Sequence, residues 1–289
     1  MRNILLMSGF TAALALLSGG AVAQSSDTPA AAAAPRPQTS DDLDCNALNV
    51  DLTFMSPALL KPGKIENPMS LFKGFTPDMA AKAQKAGQLD PNGLCHYRDK
   101  NKALPAPTGS RVVFIGDSLT ENWTVNSPDL FKDDVIGRGI SGQNTSQMLL
   151  RFRQDVIDLH PKVVHIIAGA NDMNTPIGTT LTRSNIASMV QLAKQNNIKV
   201  ILGSCTPASY FWLFPDVKPG PQIAALNAWL KDYARREGVA FVDYYTPLTD
   251  GKLGIRDDLA NEGLHPNSKG YALMTPLAKA AIAKALATR

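Results

Sequence analysis

The sequence is poor in cysteine and has no concentration of charge. It contains 3 Cys and 4 His in 289 residues, and its formal net charge is only +4, from 29 basic and 25 acidic side chains. No spacing around Cys205 resembles a zinc site, and no basic run is interleaved with aromatic residues. These absences disfavour a zinc-binding module and a nucleic-acid-binding protein, so we expect no nucleic-acid partner.

Beyond its first residues the sequence has no apolar run that could span a bilayer. At the start, Arg2 precedes an apolar stretch from Ile4 to Leu17, which leads to the small-residue pattern Ala21-Val22-Ala23. The stretch is shorter than the roughly 20 residues of a membrane anchor, and its order is that of a secretory signal peptide. We predict a signal peptide over residues 1–23, cut after Ala23, and hence a secreted or periplasmic protein without stable membrane insertion.

The rest of the chain divides by composition. Residues 24–44 consist mainly of Ala, Pro, Ser and Asp and offer no apolar face, so we predict a disordered linker. The chain from Cys45 onward is long enough for one sizeable α/β domain, and a second full domain is not expected. We place an N-terminal extension at residues 45–104, packed as a cap or brace on a domain at residues 105–289, and we assign the extension no function.

The cysteines fit this arrangement. In the oxidising compartment that a signal peptide implies, Cys45 and Cys95 can pair and close the extension on itself. Cys205 then remains alone at the end of the apolar run KVILGSC, where the expected role is that of a small buried residue.

Short β-branched runs alternate with amphipathic stretches in the second part of the sequence. Continuous apolarity is typical of strands buried on both faces of a parallel sheet, and five runs have it: 111–115, 134–138, 163–168, 199–203 and 240–243. Helices are predicted at 145–159, 181–195, 222–237 and 271–287, with weaker signals at 77–87 and 97–104. This alternation predicts a doubly wound α/β fold, whose ligand crevice lies at the carboxyl ends of the strands.

The sequence Gly116-Asp117-Ser118-Leu119 comes directly after the first predicted strand and precedes a helix-like stretch. A serine in this position has its hydroxyl in the crevice and its backbone N–H at a helix N-terminus, where developing negative charge is stabilised. Ser and Asp are also ordinary N-capping residues, so this segment alone is weak support for a nucleophile. It is not the Gly-x-Ser-x-Gly elbow, because Thr120 occupies the place of the second glycine.

A histidine near the end of the sequence can serve as the partner of this serine. His265 lies in the segment NEGLHPN, between the last predicted strand and the last predicted helix. With Glu262 three residues earlier, one ring nitrogen can be held by the acid while the other faces a nucleophile. The remaining histidines, in a strand interior, at a helix end and beside a cysteine, have structural explanations: His165, His160 and His96.

Two more polar clusters come after predicted strands: ISGQN at 140–144 and GAND at 169–172. The backbone N–H of Gly142 can approach a substrate oxygen closely, and the Asn171 carboxamide presents a further N–H donor. Together with the N–H of Ser118 they supply three donors for a tetrahedral oxyanion. Each cluster alone also fits a turn or a helix cap, but the order of all four segments in the right loops favours a catalytic site.

These four segments together resemble the SGNH, or GDSL, hydrolase family of esterases and lipases: GDSL at 116–119, ISGQNT at 140–145, GAND at 169–172 and GLHPN at 263–267. The resemblance covers about residues 111–289. It implies a flavodoxin-like three-layer α/β/α sandwich with a five-stranded parallel sheet and a site without metal or other cofactor. It also implies a nucleophile, a base and three oxyanion donors: Ser118, His265, and the N–H groups of Ser118, Gly142 and Asn171.

The acid departs from the family pattern. The family usually has an aspartate three places before the histidine, and here that place holds Glu262, which is one methylene longer. We predict Glu262 as the third member of a Ser-His-acid triad, because triads are defined by geometry and tolerate glutamate. Asp258 and Asp257 remain alternatives, as does a Ser-His dyad supported by a backbone carbonyl.

The resemblance implies an esterase that acts through an acyl-enzyme intermediate, with short-chain or acetyl esters, some of them on glycans, as favoured substrates, and the predicted signal peptide makes it an exported one. For substrate contacts we predict two carboxylates and the aromatic loop after the fourth strand: Asp117, Asp172, Tyr210, Phe211 and Trp212. Alternatives are a lysophospholipase- or thioesterase-like lipase, an O-acyltransferase that uses the same site, and a non-catalytic glycan-binding protein of the cell envelope.

Overall fold

The computed structural model describes residues 43–50, 55–61, 63–175, 177–211 and 214–287. The predicted signal peptide at 1–23 lies outside these residues, as do Trp212 and all but the last two residues of the predicted linker at 24–44. Among the described residues, no helix is both long and apolar enough to cross a membrane.

Five parallel strands form the centre of the fold: β1 (Val112–Gly116), β2 (Val135–Gly139), β3 (Val163–Ile166), β4 (Lys199–Gly203) and β5 (Ala240–Val242). Their order across the sheet is β2-β1-β3-β4-β5. In β1, Val113 is in register with Ile136 of β2 on one side and with Val164 of β3 on the other. The strands begin and end within two residues of the predicted bounds, because a strand buried on both faces is apolar at nearly every position.

Eight α-helices are found among the described residues: α1 (Ser56–Leu59), α2 (Pro77–Leu89), α3 (Arg98–Lys102), α4 (Ser118–Asn126), α5 (Thr145–Asp155), α6 (Gly178–Gln195), α7 (Gly220–Glu237) and α8 (Ser268–Ala287). The helix predicted at 145–159 ends early, because Val156 leaves the helical region and a 3-10 turn, Ile157–Leu159, comes next. The helix cannot continue into His160, since the residue before a proline disfavours the α-helical region.

Alternate side chains of the strands pack into two apolar clusters, one on each face of the sheet. On one face, Ile115 and Leu202 meet side chains of α5, α6 and α7. On the other face, Phe114 and Ile201 meet side chains of α4 and α8, with Trp123 fully buried among them. This arrangement confirms the predicted flavodoxin-like three-layer α/β/α sandwich.

The N-terminal extension packs against the helices that come after β1 and β2. A disulfide joins Cys45 to Cys95, as predicted. Helix α1 contacts α4, and α3 contacts α5. Asn101 of α3 donates a hydrogen bond through Nδ2 to Oδ1 of Asp155 in α5 at 2.7 Å. The extension therefore touches the two helices that begin at Ser118 and Thr145.

The direction of the strand order reverses at β1. The chain passes from β1 to β2 on one side and then returns to β3 on the other side. In parallel sheets such a switch point opens a crevice at the carboxyl ends of the adjacent strands, here β1 and β3. Ser118 begins α4 after β1, and Asn171 begins a 3-10 helix (Asn171–Asn174) in the loop after β3. Both residues lie at this switch point.

Candidate active site

Ser118 is the first residue of α4, at the carboxyl end of β1. Asp117 caps the helix, because its Oδ1 accepts the backbone N–H of Leu119 at 2.9 Å. The backbone N–H of Ser118 lies in the first helical turn, where N–H groups have no intrahelical acceptor. The side-chain Oγ of Ser118 is 2.8 Å from Nε2 of His265, although the two residues are 147 positions apart.

His265 lies in a short loop whose two ends are tied together. Asn261 donates its backbone N–H to the carbonyl of His265 at 2.8 Å, and Ala260 and Pro266 form an isolated antiparallel bridge. Asn267 also donates through Nδ2 to the carbonyl of Ala260 at 3.2 Å. The loop is therefore closed on itself immediately before α8, and it presents the imidazole to the crevice.

The carboxylate of Glu262 stabilises this loop, because it accepts hydrogen bonds from two other residues of the loop. Its Oε1 accepts the backbone N–H of His265 at 2.8 Å and also bonds to the ring Nδ1 of His265. Its Oε2 accepts the backbone N–H of Leu264 at 3.0 Å. An ionised carboxylate only accepts hydrogen bonds, so Nδ1 carries the proton and Nε2 presents its lone pair to Ser118.

The charge around His265 makes it a stronger base than an isolated imidazole. Burial lowers the pKa of His265, but the negative charge of Glu262, its hydrogen bond to the ring and the charge of Asp117 outweigh burial. The net effect is a pKa of His265 above its ordinary value. The ring is consequently well suited to take a proton from the Ser118 hydroxyl.

The alternative acids lie elsewhere. Asp257 and Asp258 are in a short 3-10 helix, Asp257–Leu259, before the loop. Asp258 pairs with Arg256, with 2.8 Å between Nη2 and Oδ2, and its side chain is 57% exposed. The hydrogen bond from Arg256 keeps the pKa of Asp258 below its ordinary value. Of the three acids, Glu262 is the one that the structure brings to the imidazole.

The other two predicted oxyanion donors lie in the loops after β2 and β3. Gly142 has a φ of +78°, in the left-handed region that glycine adopts without steric cost. Nδ2 of Asn171 donates to the carbonyl of Gln143 at 3.1 Å and makes a longer contact of 3.4 Å with Oδ2 of Asp117. Asn171 therefore links the loop after β2 to the residue before the serine, and the three predicted donors share one end of the sheet.

Asp117 and Asp172 are both buried, so their contact with substrate stays a prediction. Asp117 is buried beneath the helix that it caps, and burial raises its pKa to about 6. Asp172 is also buried, and its carboxylate accepts the backbone N–H of Thr145 at 3.0 Å, the Thr145 hydroxyl, and the Thr182 hydroxyl at 3.0 Å. Donors inside the protein satisfy both carboxylates.

The aromatic loop after β4 docks onto the loop that carries His265. Ser209 donates its backbone N–H to the carbonyl of Gly263 at 2.7 Å. The ring of the half-buried Tyr210 covers Gly263 so closely that a Cβ added there would lie 2.6 Å from the ring. Phe211 is buried in the apolar cluster that includes Ile115 and Leu202, and its contact with substrate stays a prediction. Trp212 lies outside the described residues.

Sequence reasoning missed the side chains that hold the Gly142 loop. Nε of the fully buried Arg151 donates to Oε1 of Gln143 at 2.5 Å, and its Nη1 donates to Oδ2 of Asp155 at 3.0 Å. Oε2 of Glu121 accepts the backbone N–H of Ser141 at 2.8 Å. The signal that the sequence offers is the four-residue spacing of Arg151 and Asp155, which usually marks an exposed ion pair on a helix.

Cys205 is buried, as predicted, with its thiol 3.3 Å from the carbonyl oxygen of Ala168. Burial raises the pKa of this thiol well above its ordinary value. A thiol of this kind stays protonated and is a poor nucleophile at neutral pH. Cys205 is therefore not a candidate nucleophile.

A sequence profile of the GDSL-like Lipase/Acylhydrolase family matches residues 114–273. The matched region covers more than half of the chain and runs from β1 into α8. It includes Ser118, Gly142, Asn171 and His265.

Individual proteins are also similar to this chain. A GDSL-like lipase of known structure from Bacteroides thetaiotaomicron is 44% identical, with a TM-score of 0.64, and the match covers 67% of this chain and 98% of that chain. The esterase TesA of Pseudomonas aeruginosa is 25% identical over 170 residues, which are 54% of this chain and 79% of that protein. The uncharacterized lipoprotein YqeF of Bacillus subtilis is 32% identical over 80 residues. That shorter match covers 26% of this chain and only 33% of the lipoprotein.

Proposed function

The chain belongs to the GDSL-like lipase and acylhydrolase family and is a carboxylic ester hydrolase, and from this premise we propose that it cleaves esters with a catalytic triad of Ser118, His265 and Glu262. The single observation that supports this best is the chain of hydrogen bonds from Ser118 Oγ through the imidazole to the Glu262 carboxylate. A serine hydroxyl is a weak nucleophile on its own. It needs a base within hydrogen-bonding reach, oriented by a third group.

The first half of the proposed reaction forms an acyl-enzyme. Nε2 of His265 takes the proton of Ser118 as Oγ attacks the ester carbonyl carbon. The carboxylate of Glu262 stabilises the imidazolium that results. When the tetrahedral intermediate collapses, the bond from carbon to the alcohol oxygen breaks, and His265 returns its proton to the leaving alcohol.

The second half releases the acid. A water molecule takes the place of the alcohol and gives a proton to Nε2 of His265 as its oxygen attacks the acyl carbon. The bond from the acyl carbon to Ser118 Oγ then breaks, and His265 reprotonates the serine. The products are a carboxylic acid and an alcohol, and the site returns to its starting state.

Both tetrahedral intermediates carry a negative oxygen that needs hydrogen-bond donors. We assign this role to the backbone N–H groups of Ser118 and Gly142 and to Nδ2 of Asn171. The N-terminus of α4 and the left-handed conformation of Gly142 support the assignment, because the first N–H groups of a helix have no intrahelical acceptor and a left-handed glycine lets the backbone approach a ligand closely. Removal of one such donor in other hydrolases costs roughly 10²- to 10³-fold in kcat.

For the substrate we propose short-chain acyl esters, acetyl esters above all, with the alcohol part of the ester carried on a glycan. The support comes from Tyr210, whose half-buried ring lies on Gly263, two residues before the base. The leaving alcohol must lie next to the base that protonates it, and an aromatic face beside that position suits the face of a sugar ring.

We also propose that the protein is exported, to the periplasm or to the medium, and that it acts there without a nucleic-acid partner. The signal-peptide pattern at residues 1–23 supports export. The disulfide between Cys45 and Cys95 is a second support, because such bonds persist in oxidising compartments. Mass spectrometry of the protein recovered from cell fractions tests this directly, and an intact leader in the cytosolic fraction would contradict it.

A fluorophosphonate probe tests the triad. We expect covalent labelling at Ser118 in the native enzyme, no labelling in Ser118→Ala, and strongly reduced labelling in His265→Ala. Hydrolysis of p-nitrophenyl acetate should show the same order. Wild-type turnover in Ser118→Ala would overturn the assignment.

A panel of esters tests the substrate class. It runs from acetyl to long acyl chains on one alcohol and includes an acetylated polysaccharide. We expect turnover to fall as the acyl chain lengthens and acetate to be released from the polysaccharide. Preference for long chains would favour a lysophospholipase-like lipase, and acyl transfer to an added glycan in place of hydrolysis would favour an acyltransferase.

A further inference from the structure

The N-terminal extension holds the loop that carries Gly142. Nε2 of Gln143 donates to the carbonyl of Asn92 at 2.8 Å. The hydroxyl of Tyr97 donates to the carbonyl of Gly139, at the end of β2, at 2.5 Å. Two residues of the extension therefore bond to Gly139, three residues before Gly142, and to Gln143, directly after it.

Gln143 connects residues 90–97 of the extension to Gly142 and Asn171, the two proposed oxyanion donors that lie in loops. It is the residue directly after Gly142, and its own backbone carbonyl accepts Nδ2 of Asn171 at 3.1 Å. Its side-chain Oε1 accepts Nε of Arg151 at 2.5 Å. The residue is only 2% exposed, so a side chain that loses one of these bonds has no water to replace it.

The segment that holds Gln143 is itself fixed. The carboxylate of Asp90 accepts the backbone N–H groups of Leu94 at 2.8 Å and Cys95 at 2.7 Å. Cys95 is tied by the disulfide to Cys45, and its carbonyl accepts Nδ2 of Asn49 at 3.1 Å. Residues 90–97 are thus held by hydrogen bonds within the extension and by the disulfide.

The extension also reaches the loop on the other side of the crevice. Ile65 donates its backbone N–H to the carbonyl of Asn261 at 2.6 Å, and Asn261 directly precedes Glu262. The same N-terminal region therefore bonds both to the loop of the proposed donors and to the loop of the acid and base.

We propose that Gln143 is a positioning residue, and that residues 90–97, closed by the disulfide, act through it to keep the Gly142 and Asn171 donors aimed at the oxyanion. The inference rests on the proposed function, since it concerns the oxyanion hole of that reaction. Donors stabilise an oxyanion only if they are in place before the charge develops. A loosened loop therefore weakens binding of the transition state more than binding of the substrate, and it lowers kcat with little change in KM.

The test compares two identical substitutions. Gln143→Glu keeps an oxygen for Arg151 but removes the N–H that reaches Asn92. Gln154→Glu removes a matched bond, because Nε2 of Gln154 donates to the carbonyl of Leu94 at 2.7 Å, but in the third turn of α5. We expect kcat of Gln143→Glu to fall about 10- to 100-fold with KM within about twofold, and kcat of Gln154→Glu to stay within about twofold.

An inhibitor that mimics the tetrahedral intermediate distinguishes a positioning role of Gln143 from general disruption of the fold. A boronic acid that adds to the serine places an oxygen among the donors, so its inhibition constant should rise in Gln143→Glu by the same factor as kcat falls. Melting temperatures of both variants verify that they are folded. The double variant Cys45→Ala/Cys95→Ala, which frees the supporting segment, should repeat the loss of kcat at nearly constant KM.

The inference is overturned if Gln143→Glu and Gln154→Glu have the same kcat, or if boronate inhibition is unchanged in Gln143→Glu. Fluorophosphonate labelling of Ser118 in the same preparations distinguishes failure of this inference from failure of the proposed function. If Ser118 is still labelled, such a result contradicts only the positioning role of Gln143. Absence of labelling in the wild-type protein would instead remove the proposed function.

Discussion

One oxygen of Glu262 bonds to both the backbone N–H and the ring Nδ1 of His265. The acid therefore fixes the place of the histidine in the loop as well as the orientation of its ring. A longer acid is suited to this double contact, because the chain between residues 262 and 265 is tightly turned and the carboxylate folds back over it. The departure from an aspartate at this position is thus accommodated locally, within the loop itself.

The first prediction concerns this acid. Glu262→Gln keeps the size of the side chain but removes the charge that stabilises the imidazolium, so we expect kcat for p-nitrophenyl acetate to fall by roughly 10³- to 10⁴-fold. Asp258→Asn is the matched control and should keep kcat within about twofold, because Asp258 pairs with Arg256 away from the ring. The opposite pattern would assign the role to Asp258.

A second prediction rests on the raised pKa of His265. The base must be neutral to accept the serine proton, so activity rises with pH through the pKa of this residue. We expect the acid limb of kcat/KM to have its midpoint above 6.5, the ordinary pKa of histidine, and to move to lower pH in Glu262→Gln. The measurement is the pH profile of kcat/KM, monitored at a wavelength where the product signal does not titrate. An unchanged midpoint in the variant would show that another group titrates there.

The fold could be predicted from the sequence because its strands are buried on both faces. A run such as VVFIG has no polar position, and it stands out between amphipathic helices. The approximate meeting of Ser118 and His265 could also be predicted, since both lie in loops at the carboxyl ends of parallel strands. In that class of fold these loops share one edge of the sheet, whatever their separation along the chain.

The direction in which single side chains point could not be predicted. Asp172 comes after a strand in the right loop, and only the positions of Thr145 and Thr182 on two different helices decide that it points inward. Phe211 lies in an aromatic loop, yet it packs into the core. The role of the extension depends on bonds such as that from Gln143 to Asn92, which join segments 51 residues apart and leave no local pattern.

The third prediction is that Asp172 stabilises the fold and does not bind substrate. In Asp172→Asn one of three buried donors from Thr145 and Thr182 loses its acceptor, which costs about 1–3 kcal/mol in the free energy of unfolding. KM for the ester should not change. Asp243→Asn is the control, because that carboxylate accepts two bonds from Thr246 at an exposed site and should cost less. A raised KM with unchanged stability in Asp172→Asn would instead support a substrate contact.

The fourth prediction concerns the ring of Tyr210. If it stacks on a sugar, Tyr210→Ala removes about 0.5–1.5 kcal/mol of binding, which corresponds to an increase of roughly two- to tenfold in KM for an acetylated oligosaccharide. Tyr210→Phe keeps the ring and should bind normally. Neither variant should change KM for p-nitrophenyl acetate, which has no sugar. An equal increase in KM for both substrates in Tyr210→Ala would mean that the ring acts by packing on Gly263.

The last prediction concerns a histidine buried in the core. His165 lies in β3, where its Nε2 is 2.8 Å from the hydroxyl of Tyr244 and its ring stacks on Phe114 with 4.2 Å between centroids. Its Nδ1 has no hydrogen-bond partner in the part of the chain that the structure describes. The structural role expected for this residue in a strand interior therefore leaves one of its two nitrogens without a partner among the described residues.

Burial lowers the pKa of His165 to about 3. In the unfolded chain the same ring takes up a proton near its ordinary pKa of 6.5, so the unfolded state binds more protons between these two values, and the free energy of unfolding decreases as the pH falls below 6.5. Between pH 7 and pH 4.5 this residue alone should cost about 2.5 kcal/mol. His165→Gln can keep the contact with Tyr244 but does not titrate. Denaturant unfolding at the two pH values should therefore give a smaller loss for the variant by about that amount, whereas equal losses would mean that the folded protein also protonates His165.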